Sequence, residues 1–327
     1  MKYIEEHLAL HKLQEFLKAN GWLIADEHIQ SLQKAGEGNM NVVLRVQTNH
    51  RSFILKQSRP YVQKYPQIEA PLERIAVERH FYKALEGSSI ATSFPKVIAY
   101  DAGQYLMMQE DLGQCDDMGY LYGQRKVSSQ QIRKLVQLAG TIHSVGKLDT
   151  FPQNRQLREL NHQHIFILPF LKENGFSLNA VQEGLQELSL PFKTDDLLKK
   201  KVTEIGEIYL SQGTCLIHGD YYPGSWLSQE DSIYIIDPEF SFIGFPEFDL
   251  GIMAAHLTMA TSNFLVVEEV LKVYKGAHDP ILVRQVAGVE ILRRLIGLAQ
   301  LPMQRTLNEK THLLQEARNM VLSDKTL

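Results

Sequence analysis

Asp220, Asp237 and Glu239 stand at the ends of two apolar runs in one stretch, Leu216–Asp249, which reads LIHGDYYPGSWLSQEDSIYIIDPEFSFIGFPEFD. The first run ends in His218-Gly219-Asp220, a turn with Pro223 and Gly224 follows, and the second run, Ile233–Ile236, ends in Asp237-Pro238-Glu239. Read as two neighbouring strands joined by a tight loop, the stretch brings Asp220 close to Asp237 and Glu239. Anions grouped in that way repel one another and call for a cation. Hard oxygen donors favour Mg²⁺ over Zn²⁺. The layout suits phosphoryl transfer: Asp220 as general base or as the group that orients an acceptor hydroxyl, with Ser225, Asp237 and Glu239 as metal ligands. His-Gly-Asp alone would fit an ordinary turn equally well.

Phosphoryl transfer also needs groups that hold the donor's phosphates, and the chain offers them upstream. Ala35-Gly36-Glu37-Gly38-Asn39 is a small-residue turn. Gly36, Gly38 and Asn39 can let backbone N–H groups approach phosphate oxygens, because glycine has no Cβ in the way. Two glycines by themselves fit a plain hairpin turn just as well. Lys56 closes an apolar strand, Phe53-Ile54-Leu55-Lys56, and a charge there needs a partner. Glu78, on a following helix, is the candidate; it would position Lys56, which would neutralise the α- and β-phosphates of ATP. Met107–Asp111 reads as a hinge, where the C=O of Gln109 and the N–H of Asp111 would contact adenine. Arg293 and Arg294 interrupt an apolar helical run. Adjacent helical residues diverge by about 100°, so the two cannot face one small ligand equally. One is expected at a pocket and the other on a carboxylate; two solvated arginines are the plainer alternative.

The elements that must carry these groups follow from periodicity and punctuation. Tyr3–Ala19 has helical spacing and stops at Asn20-Gly21. Strands are expected at Ile29–Lys34, Val42–Gln47, Ser52–Gln57, from Phe94 to Tyr100, and at Tyr105–Gln109, with a helix over Pro71–Leu85. After Leu112 the pattern turns helical: Ser128 or Ser129 caps a helix through His143, Asp195 caps one through Leu210, and helices are expected at Asp249–Thr261, Ile281–Leu301 and Asn308–Leu322. Asp249 would cap its helix and order the catalytic loop, and His218 reads as structural. Residues 116–126 and 147–193 carry no clear pattern. The order predicts an α+β, bilobal protein kinase-like fold, with an antiparallel sheet plus helix in residues 1–111, a mainly helical lobe in 112–327, and nucleotide between them.

The same residues resemble the aminoglycoside phosphotransferase and choline kinase-like superfamily, and within it the 5-methylthioribose kinases. The likeness is carried by Gly36-Glu37-Gly38-Asn39-Met40-Asn41, Leu55-Lys56-Gln57, Arg59-Pro60-Tyr61, Glu110-Asp111-Leu112, His218-Gly219-Asp220, Gly224-Ser225, Asp237-Pro238-Glu239-Phe240 and Arg293-Arg294 followed by Ile296-Gly297-Leu298-Ala299. The resemblance implies ATP and Mg²⁺ as cofactors, metal binding by Asp237 and Glu239, the arginine pair at the sugar, and a homodimer. One departure lies beside the base: the family's HGDLHTGS is HGDYYPGS here. The resemblance leaves other acceptors of the same fold open, among them another sugar, an amino alcohol or an aminoglycoside. A non-catalytic nucleotide-binding module is the reading from a different class.

Bulk composition narrows the field. The chain has 327 residues, 44% of them hydrophobic and 22% charged, as in ordinary globular proteins. A net charge of −4 gives no electrostatic case for nucleic acid or an anionic membrane. The two cysteines, Cys115 and Cys215, suggest neither a disulfide framework nor a zinc site. The start, MKYIEEHLAL, lacks the apolar core of a secretory signal, so the expectation is a cytoplasmic enzyme of a small molecule.

Overall fold

Lys56 lies in the middle of a sheet. In the computed structural model, which describes residues 3–5, 7–36, 40–146 and 148–323, the chain divides into two compact units. The first comprises Met1–Cys115 and Tyr234–Glu239, and the second Asp116–Ile233 and Phe240–Leu327.

The first unit runs α1 (Leu10–Ala19), β1 (Ile29–Lys34), β2 (Asn41–Thr48), β3 (Ser52–Ser58), a small hairpin of β4 (Tyr61–Val62) and β5 (Tyr65–Glu69), α2 (Arg74–Ala84), β6 (Val97–Asp101) and β7 (Leu106–Glu110). Five strands form an antiparallel sheet in the order β1-β2-β3-β7-β6. Alternate residues of its central strands, Leu44 and Val46, Phe53 and Leu55, Leu106 and Met108, are buried in one cluster with Leu13 and Leu17 of α1. Period-two alternation therefore turns Lys56, which pairs with Val43 on β2 and Met107 on β7, to the opposite face. Three expected elements start clearly later than their patterns suggested: the first helix at Leu10, the helix expected from Pro71 at Arg74, and the fourth strand at Val97. The β4–β5 hairpin was not anticipated.

The second unit holds β8 (Asp116–Asp117), α3 (Leu121–Gln124), α4 (Ser129–Ser144), α5 (Arg155–His162), α6 (Leu185–Lys193), α7 (Asp196–Leu210), β9 (Cys215–Ile217), β10 (Trp226–Gln229), the first half of β11 (Ser232–Ile235), β12 (Phe242–Gly244), α8 (Pro246–Thr261), α9 (Leu265–Val273), α10 (Pro280–Ile296) and α11 (Leu307–Leu322). The capping signals fulfil their role. Ser128 forms a capping box with Gln131, and the Asp195 carboxylate accepts the Leu198 N–H. Helices α8 and α10 pack together and are buried on nearly every side, which explains why their sequences lack an amphipathic stripe. Gly288 admits α11 closely, since a Cβ there would lie 2.5 Å from the Ala317 carbonyl oxygen.

One expectation about the catalytic stretch is corrected. The strand before His218 and the strand before Asp237 are not adjacent arms of one hairpin. β9 pairs antiparallel with β12, and β10 intervenes in the chain and pairs with β8. The reason is local: Phe242-Ile243-Gly244 supplies a short apolar strand right after Phe240, and Ser241 Oγ donates to the Ile217 carbonyl at 2.6 Å.

Candidate active site

The first unit gathers the groups expected on the nucleotide side. Lys56 Nζ lies 2.6 Å from Glu78 Oε2 and 2.5 Å from Asp237 Oδ1. Glu78, buried on α2, also accepts from Gln109 Nε2 at 3.1 Å and from the Tyr82 hydroxyl at 3.3 Å. Burial alone would lower the Lys56 pKa, but Asp237, Glu78 and Glu239 outweigh it and hold the ammonium above its ordinary value. Burial pushes the Glu78 carboxyl up to about 7, opposed by Lys56. Asp237 takes the left-handed backbone conformation, φ 61°, which asparagine and aspartate tolerate best after glycine. Glu239 accepts from Asn41 Nδ2 at 2.7 Å and lies 3.2 Å from Arg74 Nε.

Arg74 was not singled out in the sequence. It is fully buried and also donates to the carbonyls of Met40, Arg59 and Pro71, so it ties the start of β2 to Glu239. Nothing in the sequence set it apart from Arg79 and Lys83 on the same helix. Asp111 is held through its side chain, which accepts from Arg45 Nη2 at 3.0 Å and from the Gly113 N–H at 3.0 Å. Gly36 has a positive φ of 86°. Gly38 and Asn39 lie outside the described residues.

The second unit positions Asp220, Ser225 and the arginine pair. Gly219 has φ 83°, and a Cβ there would collide with the Phe240 carbonyl oxygen. Only glycine lets this loop close against the segment after Glu239. Asp249 does not cap α8, whose N-cap is Phe245. From inside the helix its carboxylate accepts the His218 N–H at 2.7 Å and the Gly219 N–H at 2.9 Å, and lies 3.1 Å from His143 Nε2. It orders the loop as anticipated, by a different route. The Asp220 N–H donates to His218 Nδ1 at 3.3 Å, and Ser225 Oγ donates to the Asp220 carbonyl at 2.9 Å. His218 and Ser225 thus brace the backbone that presents Asp220.

Arg293 and Arg294 are both buried, and both meet one carboxylate that sequence reasoning passed over. Arg293 Nε lies 2.5 Å from Glu290 Oε2, and Arg294 Nε lies 2.7 Å from Glu290 Oε1. His256 Nε2 is 2.8 Å from Glu290 Oε1, and the Tyr122 hydroxyl is 2.5 Å from His256 Nδ1. Arg294 Nη2 is 3.9 Å from Asp220 Oδ1, and its guanidinium sits 4.9 Å from the centre of the Tyr222 ring. Burial would raise the Glu290 carboxyl, but the two arginines hold it well below the usual range.

Residues 31–279 match the family described as the phosphotransferase enzyme family. The chain belongs to that family. Among curated proteins, the methylthioribose kinase of Exiguobacterium sibiricum is 26% identical over 91% of this chain and 87% of its own length. Two solved structures share the fold. The choline kinase LicA from Streptococcus pneumoniae covers 95% of this chain and 99% of its own, at TM-score 0.52 and 14% identity. The ADP-bound aminoglycoside phosphotransferase APH(2'')-Ib covers 97% and 100%, at TM-score 0.53 and 14% identity. The protein is a small-molecule kinase with a protein kinase-like α+β fold, transferring a phosphoryl group to a hydroxyl acceptor.

The donor chemistry of this phosphotransferase fits Mg²⁺ in part of the site. Magnesium uses one or two carboxylates and completes its shell with phosphate oxygens and water. Asp237 and Glu239 are such carboxylates on one short segment, and the Asp237 side chain is 43% exposed. Among the described residues no group of three or more His, Cys, Asp or Glu is placed to hold a metal ion. Any metal here would therefore depend on phosphate oxygens for much of its shell. No helix among the described residues is long and apolar enough to cross a membrane.

His256 should make the folded state of this phosphotransferase lose stability in acid. Burial drives its pKa from 6.5 down to about 4, against the hydrogen bond to Glu290 and together with the nearby Arg293 and Arg294. The unfolded chain takes up the proton below about pH 6.5, while the folded one resists until about pH 4. The unfolded state binds more protons in that window, so this stability is complete above pH 6.5 and is lost as pH falls to about 4. In His256→Gln the slope of stability against pH over this window should be shallower than in the unsubstituted protein, as read by urea unfolding at a series of pH values. Equal slopes would refute it.

Proposed function

We propose that the protein is an ATP- and Mg²⁺-dependent kinase that transfers the γ-phosphate to a hydroxyl of a methylthioribose-like sugar in the cytoplasm. In this reading residues 1–111 form the nucleotide-binding lobe, with Gly36, Gly38, Asn39, Lys56, Glu78, Gln109 and Asp111 on ATP. Residues 112–327 form the catalytic and acceptor-binding lobe. Lys56, kept charged by its carboxylate partners, pairs with phosphate oxygens, and Glu78 fixes its direction. Asp237 and Glu239, with Ser225, hold the metal, which when bound neutralises charge on the phosphates. Asp220 accepts a hydrogen bond from the acceptor hydroxyl, aligns it, and takes its proton late in transfer. Arg293 and Arg294 contact the sugar.

The observation that carries the substrate reading is the Arg293–Glu290–Arg294 cluster, 3.9 Å from Asp220 at its nearest approach. Two guanidinium groups share one carboxylate, which suits a neutral polyhydroxyl acceptor and disfavours a polycationic aminoglycoside. Similarity to a methylthioribose kinase across 91% of the chain supports the same substrate. The test is product formation from 5-methylthioribose and ATP with Mg²⁺. Intact ATP hydrolysis without sugar phosphorylation would remove the substrate assignment.

A further inference from the structure

Two adjacent arginines on one helix point in directions about 100° apart. Left to themselves, Arg293 and Arg294 would not serve a single small acceptor. Glu290 lies three and four positions before them on α10. At 3.6 residues per turn those positions flank it at about −60° and +40°. One carboxylate can therefore reach both, and it does so through Nε of each guanidinium, at 2.5 and 2.7 Å. Using Nε leaves the Nη edges to face outward. Arg294 accordingly directs Nη2 towards Asp220 and Nη1 towards the Ala299 carbonyl, at 3.4 Å, and lays its plane near the Tyr222 ring.

Glu290 is itself fixed from a second helix. His256, fully buried on α8, donates Nε2–H to Glu290 Oε1 while its Nδ1 accepts from the Tyr122 hydroxyl on α3. The network sets the tautomer, because a tyrosine hydroxyl donates to Nδ1 and a carboxylate can only accept from Nε2. The Tyr222 ring lies 4.9 Å from the His256 ring, so one loop residue touches both the histidine and Arg294. Mere neutralisation of two buried arginines would not need an oriented histidine behind the carboxylate.

We propose that Glu290, held by His256 and Tyr122, is the positioning residue of the acceptor site: it converts two diverging arginines into a converging pair and sets Arg294 against Asp220. This rests on the reading that the arginine pair contacts the acceptor, and the experiment separates the two. Glu290→Gln, Arg293→Gln, Arg294→Gln, the Glu290→Gln/Arg294→Gln double variant and Glu290→Asp are assayed with 5-methylthioribose, or with whichever sugar or amino alcohol the enzyme turns over. The readouts are acceptor KM, kcat per folded protein, and nucleotide affinity by equilibrium binding.

Loss of a buried, charge-assisted hydrogen bond should raise acceptor KM by about 10- to 100-fold in Glu290→Gln. Nucleotide affinity should stay within about two-fold. In the Arg294→Gln background the second change should add much less than it does alone, because both substitutions break the same contact. Glu290→Asp, which keeps the charge, should recover part of the loss and also covers the case in which Glu290→Gln folds poorly. Additive effects in the cycle, or equal losses in acceptor and nucleotide binding, would show a merely structural glutamate and overturn the proposal. If Arg294→Gln and Arg293→Gln both leave acceptor KM unchanged, the acceptor reading of the arginine pair fails first, and the role of Glu290 falls with it.

Discussion

Asp220→Asn should lower kcat by about 10²- to 10⁴-fold, the usual contribution of a positioned general base, while nucleotide affinity is kept. The side chain is nearly isosteric, so the loop that presents it should survive. That loop is held through backbone groups: the N–H groups of His218 and Gly219 on the Asp249 carboxylate, the Asp220 N–H on His218 Nδ1, and the Asp220 carbonyl under Ser225 Oγ. None of these contacts uses the Asp220 carboxylate. Arg294 Nη2 lies 3.9 Å from that carboxylate, a long ion pair, and with a quarter of the Asp220 side chain exposed this pair contributes little to stability. The melting temperature should therefore change little. The groups that we assign to ATP lie in the first unit, whereas Asp220 lies in the second. Turnover and nucleotide binding, measured on the same preparation, should separate. A variant that keeps more than about a tenth of kcat would strip Asp220 of its part in general-base catalysis.

Local signals in the sequence were legible where a single element carries them. Lys56 and Glu78 could be paired because a buried charge on a strand demands a partner and the next helix offers one carboxylate on an apolar face. Ser128 and Asp195 declared their helices by capping chemistry. What stayed hidden depends on tertiary choice. Nothing in Ile233–Glu239 states that Tyr234–Glu239 returns to the first unit, or that the His218 strand prefers Phe242–Gly244 as its partner. Short apolar runs pair with whatever edge the rest of the fold presents. Asp249 looked like a cap because it opens an apolar run, yet α8 begins at Pro246 and the carboxylate faces the loop. Glu290 is the instructive omission. Its spacing to Arg293 and Arg294 is that of helical ion pairs, but attention to the apolar run made the arginines look like the anomaly and the glutamate like background.

Lys56→Met should abolish turnover and also destabilise the first unit, by about 3 to 5 kcal/mol if the Glu78 carboxylate stays buried and uncompensated. The burden falls on Glu78, not Asp237. Glu78 is fully buried, whereas the Asp237 side chain is 43% exposed and water can take over its charge. Adding Glu78→Gln should then restore most of the lost stability, since the amide oxygen can still accept from Gln109 and Tyr82 and no charge remains buried. It should restore no activity, because no cation is left to meet the phosphates. Melting curves and turnover for the single and double variants thus separate the two roles of the lysine. Recovered turnover in the double variant would free Lys56 from the chemistry. A double variant as unstable as the single one would mean that the lysine stem's packing, not the stranded carboxylate, governs the loss.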